Sequence, residues 1–403
     1  MPLFYVISHY FNLPFRAWEQ RKLGDIANYR NGKSHEQVED EDGKYTIINS
    51  KFISTNGKVQ RYTNEQVEPI FDGEIAMVLS DLPNGKALAK LFLVKEDGKY
   101  TLNQRIAGIT PNENIDPIFL NFRMNRNNYF LKFDSGVTQT NLSKSQVENF
   151  IALYPTFDEQ YKIGLFFTQL DDTIALHQRK LDTLKLMKKG FLQRMFPNNE
   201  EEIPKVRFAD FDGMWKQRKL NSITEKITRK NKELESTLPL TISAQDGLID
   251  QNEYFNKIIA SRNIRGYFLV KNGEFAYNKS YSKGFPWGVV KRLDNYNMGV
   301  LSTLYIIFKP VKINSDFLTK YFDSTYWYRA VSQFATEGAR NHGLLNIAAS
   351  DFFEIELNIP LNNEEQKKIG LFFQQLENII ILHQNKLEKL SILKKTYLKK
   401  MFI

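Results

Sequence analysis

Two stretches of this chain are nearly the same helix. Residues 159–196 read EQYKIGLFFTQLDDTIALHQRKLDTLKLMKKGFLQRMF and residues 365–402 read EQKKIGLFFQQLENIIILHQNKLEKLSILKKTYLKKMF, with 22 of 38 positions identical. The copies lie 206 residues apart, a period too long for a solenoid. The chain is a duplicated half-molecule. In the first copy Ile163, Phe167, Leu170, Ile174, His177, Leu181, Leu184, Lys188, Phe191 and Met195 recur at steps of four and three. In the second the same places hold Ile369, Phe373, Leu376, Ile380, His383, Leu387, Leu390, Lys394, Tyr397 and Met401. Such alternation is the 3.5-residue period of a left-handed coiled coil. Between the seam positions lie Lys, Gln, Asp and Glu, as a solvated face requires. No proline interrupts either copy, while Pro155, Pro197 and Pro360 flank them. Each helix is expected to be roughly 55 Å long.

Two apolar stripes in one chain bury most simply against each other. His177 and His383 lie near the middles of their helices, so an antiparallel pair with matched ends brings them together. A polar pair there is either a tolerated seam position or a contact that fixes register. Two histidines alone make a poor metal site.

The segments between the helices are globular. Each opens on the same hexapeptide pattern, Trp18-Glu19-Gln20-Arg21-Lys22-Leu23 and Trp215-Lys216-Gln217-Arg218-Lys219-Leu220. In the first segment YTIINSKFIS, EIAMVLS and KALAKLFLV read as strands, and Asn56-Gly57, Asp72-Gly73, Asn84-Gly85 and Asp97-Gly98 read as turns. A helix is expected over IDPIFLNFRMNRNNYFLKF, then the polar loop Ser135–Leu142, then VENFIALYP as a closing strand. The second segment repeats the order. LPLTISA, GYFLV, GEFAYN, WGVVKRL and LSTLYIIFKP read as strands and SDFLTKYFDSTYWYRAVSQF as a helix. The polar loop Thr336–Leu345 and DFFEIELNIP follow. Gly73-Glu74 and Gly273-Glu274 mark a shared framework. The expected fold is mixed α/β (α+β): two similar domains joined by two long antiparallel coiled-coil helices with a pseudo-two-fold repeat. Its segments are 1–155, the first domain; 156–197, the first helix; 198–360, connector and second domain; and 361–403, the second helix.

Composition limits the chemistry. The chain of 403 residues has no cysteine, which removes disulfides, thiolate metal sites and thiol catalysis and suits a cytoplasmic address. No apolar run is long enough for a membrane span, and the first fifteen residues lack the features of a signal peptide. The net charge is +9, with 55 Lys plus Arg against 46 Asp plus Glu, which fits an acidic partner such as nucleic acid. Ala27–Ser34 matches a permissive phosphate-loop pattern, but such a loop must run from a strand into a helix. The charged HEQVEDEDGK follows instead. His342 beside Arg340 has no evident nucleophile partner. A duplicated enzyme would carry its catalytic residues twice, and none recur.

From Trp18 onward the chain resembles the specificity (S) subunit of Type I restriction–modification systems. The resemblance rests on the paired Trp openings, the Gly-Glu landmarks and the loops Ser135-Gly136-Val137-Thr138 and Thr336-Glu337-Gly338-Ala339. It rests also on the E-Q-x-K-I-G helix starts after Pro155 and Pro360, and on the Lys-rich helix ends. It implies two target recognition domains, each reading half of a bipartite site in double-stranded DNA, with the helices setting the gap. It implies a non-catalytic subunit that recruits two modification (methyltransferase) subunits for adenine N6 methylation, and then restriction (endonuclease/translocase) subunits. S-adenosylmethionine, ATP and Mg would be used by those partners, with no cofactor or metal on this chain. The stretch before Trp18 departs from the pattern, since a counterpart of VRFADFDGMW is expected there.

Base reading needs side chains at base edges, with Lys and Arg on phosphates. The polar loops nominate Lys33, Ser80, Asp81, Lys86, Gln104, Arg105, Thr138, Gln139 and Asn141 in the first domain. In the second they nominate Lys279, Ser280, Lys283, Arg340, Asn341 and His342. Gln139 and Asn141 suit adenine edges and Arg340 suits guanine. Two readings of other classes compete: a coiled-coil adaptor that binds proteins, and a self-contained nuclease, which lacks a repeated acidic metal site.

Overall fold

The computed structural model describes residues 18–402 except 36, 84, 198–200, 258–259, 261–262, 281–283, 335–344 and 346. The chain divides into two compact units, Met1–His177 with Lys386–Ile403, and Gln178–Asn385.

The first unit contains β1 (Glu19–Lys22), β2 (Ala27–Asn31), β3 (Ile75–Val78), β4 (Ser80–Asp81), β5 (Leu91–Leu93), β6 (Ile106–Pro111), α1 (Pro117–Met124), β7 (Thr140–Asn141) and β8 (Ile151–Tyr154). From it starts the long helix α2 (Phe157–Arg194). An antiparallel sheet runs in the order β2-β6-β3-β5. A second four-stranded sheet is built around Tyr45–Ile48 and Tyr100–Leu102, which pair in parallel. Strand β3 is buried on both faces. Ile75 and Met77 enter the core under α1 and α2, while Ala76 and Val78 enter the core of the second sheet. This is why EIAMVLS reads as an unbroken apolar run and not as an alternating one.

The second unit repeats the plan with β9 (Lys216–Lys219), β10 (Thr224–Ile227), β11 (Phe275–Asn278), β12 (Val289–Arg292), β13 (Ile306–Pro310), α3 (Ser315–Asp323) and β14 (Glu356–Ile359). Its main sheet runs β10-β13-β11-β12, the same order as in the first unit. The long helix α4 (Asn363–Met401) starts from it.

The repeated motifs do the same work twice. The Trp18 indole donates to Glu159 Oε1 at 3.3 Å, and the Trp215 indole to Glu365 Oε1 at 3.2 Å. The next residue, Gln160 or Gln366, accepts the N–H of the cap of α1 or α3: Asp116 at 3.1 Å, Asn314 at 2.8 Å. Its amide then donates to the Pro155 or Pro360 carbonyl at 2.9 or 2.8 Å. So the Glu-Gln pair welds the long helix to its domain. Gly73 and Gly273 adopt φ +79° and +83°, a conformation glycine tolerates without strain. Each lets the following glutamate fold back onto the N–H three residues earlier, Phe71 or Lys271, at 2.8 Å. Glu74 then binds Arg30 through both oxygens at 2.6 Å, and Glu274 binds Arg229 at 2.9 and 2.7 Å. Burial works against the Glu74 charge. The Arg30 and Thr110 hydrogen bonds and the Phe71 N–H outweigh it and hold the carboxyl below its ordinary pKa.

All the expected seam residues are buried or half-buried, Leu170, Leu181, Leu376 and Ile380 among the buried ones. In the first unit Asp171 pairs with Lys394 at 2.5 Å, Phe166 packs on Tyr397 and Phe167 on Phe402. In the second, Lys188 pairs with Glu377 at 2.6 Å, Phe191 packs on Phe372 and Phe196 on Phe373. Within each unit the helix segments thus run antiparallel. The expected meeting of His177 and His383 joins a residue of one unit to a residue of the other. Taken singly, His177 is buried and His383 half-buried.

Several elements are shorter than the sequence suggests. The helix expected from Pro117 breaks at Arg126, which adopts φ +51°, because Asn127 caps a new helix, Asn128–Leu131. The one expected from Ser315 stops at Asp323 and resumes at Trp327–Ser332. In VENFIALYP only Ile151–Tyr154 is strand. The residues before it end a short helix held by the Ser143–Gln146 capping box.

Candidate nucleic-acid interface

Strands β2, β6 and β3 meet at one end of the first domain. Asn31 lies opposite Ala107, and Val78 opposite Ile106, so Gly32–Lys33, the turn Asn103–Arg105 and Leu79 converge there. Gly32 passes so close to this turn that a Cβ on it would sit 2.1 Å from the Asn103 carbonyl oxygen. That approach, and not a phosphate, is what the glycine of the loop-like motif serves. Among the described residues no helix directly follows it, and Ala27–Asn31 is itself strand β2. Lys33 is exposed and pairs with Glu68 at 3.1 Å. His35 is buried beneath it, with Nδ1 2.9 Å from the Lys33 carbonyl oxygen and Nε2 3.0 Å from Thr101 Oγ1, and burial lowers its pKa.

From this end projects a two-stranded ribbon. Ser80 in β4 lies opposite Asn141 in β7, and Asp81 opposite Thr140. Leu79 anchors the ribbon: its N–H donates to the Arg105 carbonyl at 3.0 Å, and its carbonyl accepts from Leu142 at 2.9 Å. The Asp81 carboxylate accepts the N–H groups of Leu82, Ala87 and Leu88 at 2.9, 2.6 and 3.0 Å. On the other arm Asp134 Oδ1 accepts the Gly136 N–H at 3.0 Å and the Thr140 hydroxyl at 3.2 Å.

Of the residues singled out in this domain, Lys33, Gln104, Arg105, Thr138, Gln139 and Asn141 are exposed at this end, and Lys86 is exposed on the loop that Asp81 holds. Ser80 and Asp81 have another task. Ser80 is buried and its hydroxyl accepts the Gln139 amide at 2.7 Å. The Asp81 carboxylate is occupied by its own loop. Both side chains thus help to position the two arms of the ribbon. Sequence reading passed over Leu82 and Val137, which are exposed beside them; only their place next to polar turn residues marked them.

In the second domain Lys279 and Ser280 follow β11 as Leu79 and Ser80 follow β3. The Lys279 carbonyl accepts from Leu345 at 3.0 Å, repeating the Leu79–Leu142 bond. The Lys279 ammonium donates to the Ile347 carbonyl at 3.2 Å, and the Ser280 N–H to Asn278 Oδ1 at 3.0 Å. Both residues are half-buried, and the Lys279 side chain serves the local backbone. Lys283, Arg340, Asn341 and His342 lie outside the described residues. The turn that corresponds to Asn103–Arg105 is Ser302–Tyr305, closed by the Tyr305 N–H on the Ser302 carbonyl at 3.2 Å. It exposes Thr303 and Leu304. LSTLYIIFKP reads as one strand in sequence, so this turn was missed; its Ser-Thr pair is the signal that could have found it.

Among the described residues no group of three or more His, Asp or Glu is placed to hold a metal ion, and no helix is long and apolar enough to cross a membrane.

The two units repeat one sheet order and one way of joining a domain to a long helix. Residues 16–186 match the family described as Type I restriction modification DNA specificity domain. A specificity subunit of Methanocaldococcus jannaschii, that of the Type I restriction enzyme MjaVIII, is 22% identical, covering 94% of this chain and 90% of its own. Among solved structures, the S subunit of a Type I restriction–modification system from M. genitalium superposes with a TM-score of 0.59. It is 13% identical and covers 97% of this chain and 98% of its own. A chain of a type I R-M system, solved for its complex assembly and conformational transition, gives 0.51 at 15% identity, covering 96% and 98%. Residues 16–186 thus match that family's domain, and nearly the whole chain is similar to Type I restriction–modification specificity subunits.

Proposed function

We propose that this chain is the DNA-reading subunit of a Type I restriction–modification assembly, in which each recognition domain reads one half of a bipartite site. The observation that carries the reading is the double framework. The Trp–Glu weld, the Gly-Glu turn with its arginine and the sheet order recur in both units, while the loops at the sheet ends differ. One architecture holding two different readers fits a site of two unlike halves. The helices set the gap between the halves, and with it the number of base pairs left unread.

The long helices also offer a place for partners. Leu165, Leu176, Leu186 and Met187 on α2 are exposed, as are their repeat-mates Leu371, Leu382, Ile392 and Leu393 on α4. Steps of ten or eleven residues are close to three full turns, so each set forms one stripe away from the seam. Exposed apolar stripes of this kind mark interaction sites. In this reading two modification subunits dock there and supply S-adenosylmethionine-dependent adenine N6 methylation. Restriction subunits bring ATP and Mg, this chain has no catalytic centre, and the assembly acts in the cytoplasm.

The test is a map of modified adenines in cells expressing this chain with a Type I modification subunit, against an empty-vector control. One motif of two short half-sites with a fixed gap is expected, and exchanging residues 213–360 for those of a relative should change one half alone. An assembled complex that yields no modified motif, or DNA binding insensitive to salt, would favour a protein-binding adaptor instead.

A further inference from the structure

Leu82 and Val137 are 69% and 81% exposed. A single exposed apolar residue is ordinary. These two are not isolated, and neither is on a slack loop. Leu82 directly follows Asp81, and Val137 stands three residues before Thr140, so both emerge at the open end of the β4–β7 ribbon. Both arms are held by carboxylates, the Leu82 arm by Asp81 and the Val137 arm by Asp134. The glycine in the first arm is required as well, because a Cβ on Gly85 would lie 2.1 Å from Asp81 Oδ2. Two apolar side chains are thus presented to solvent on a fixed support, with Thr138 and Gln139 exposed beside them.

A two-stranded ribbon fits the major groove, where the one apolar group that a base pair displays is the thymine 5-methyl. A protein partner is a poor match for so small a feature, since stable interfaces engage roughly 20–30 residues a side. We propose that Leu82 and Val137 read thymine methyl groups in the half-site of the first domain. The inference rests on the DNA-reading function proposed above.

The experiment uses the full chain in complex with its modification subunits and duplexes carrying the mapped motif. Each thymine in turn is replaced by deoxyuridine, which removes the methyl and leaves every hydrogen-bonding group. The wild-type complex is expected to lose roughly fourfold in affinity at one or two thymines, all within one half-site. Leu82→Ala and Val137→Ala complexes are expected to bind thymine and deoxyuridine duplexes equally at the position each side chain reads, with the thymine duplex bound roughly fourfold more weakly than by the wild type. A motif with no thymine in either half, or no deoxyuridine effect at any position, overturns the assignment while leaving the DNA-reading function intact. So does a thymine preference that survives in both variants. A complex that binds no duplex overturns the function itself and this assignment with it.

Discussion

Arg207 grips Glu365 through two parallel hydrogen bonds, Nε to Oε1 at 2.7 Å and Nη2 to Oε2 at 2.8 Å. Glu365 is 1% exposed, and the Trp215 indole completes its shell. Arg207 lies in the connector and Glu365 in the first turn of α4, so this pair ties the second domain to its helix. Removing Arg207 leaves a buried carboxylate without its counter-charge, which costs about 3–5 kcal/mol. Arg207→Ala is expected to lower the unfolding free energy by that much, read as a fall in the urea midpoint, and Arg207→Ala with Glu365→Gln to recover part of it. In the first unit the counterpart Glu159 is half-buried, and burial raises its pKa against the Trp18 hydrogen bond. Glu159→Gln is therefore expected to be nearly neutral at pH 7, in contrast to Glu365→Gln.

The second unit contains a chain of alternating charges: Lys188–Glu377 at 2.6 Å, Glu377–Lys320 at 2.7 Å, Lys320–Asp323 at 3.5 Å and Asp323–Lys291 at 2.7 Å. Burial opposes the Asp323 charge, but Lys291, with Lys320 and Lys188, outweighs it and lowers the pKa. A carboxylate depressed in the folded state contributes stability above its unfolded pKa and loses it as pH falls through the folded value. Stability of this unit should therefore drop below about pH 4. Denaturation midpoints measured from pH 7 to 3 should show the drop, and Asp323→Asn should flatten it while lowering stability at pH 7.

Phe402, near the end of α4, packs on Phe119 and Phe167 of the first unit with ring centroids 5.4 and 5.7 Å apart, and Arg123 lies over its ring at 5.3 Å. Phe196 holds the equivalent place in the second unit and is buried among Trp215, Phe317 and Phe373. Phe196→Ala is expected to cost about 3–5 kcal/mol, and the half-buried Phe402→Ala somewhat less. Hydrogen exchange resolved by peptide should place the loss in the second unit for Phe196 and in the first for Phe402. Uniform loss over both units would contradict the separate cores.

Gly85→Ala places a methyl against the carboxylate that holds the 82–88 loop. Expected is a relaxed preference in one half-site, with the melting temperature changed by no more than a few degrees. Methylation mapping reads the first and calorimetry the second. An unchanged motif would show that this loop does not read DNA.

The sequence by itself determined what is local and what is repeated. A 3.5-residue apolar period can be buried only along a helix seam, so both long helices and their buried seam residues were legible. The two Trp openings and the Gly-Glu pairs announced a common framework before any contact was known. Tertiary structure alone decided how the polar residues divide their work. Ser80, Asp81 and Lys279 carry the same side chains that base readers carry, and only the partner opposite each, the Gln139 amide, the backbone N–H groups of the 82–88 loop and the Ile347 carbonyl, shows the local bonds they make. Leu82 and Val137 read as ordinary loop residues until the ribbon put them at one open end. The breaks at Arg126 and Asp323 likewise followed from caps and packing that no helical period records. Hydrophobic periodicity is written along the chain, whereas the partner of a hydrogen-bonding group is set by residues far from it in sequence.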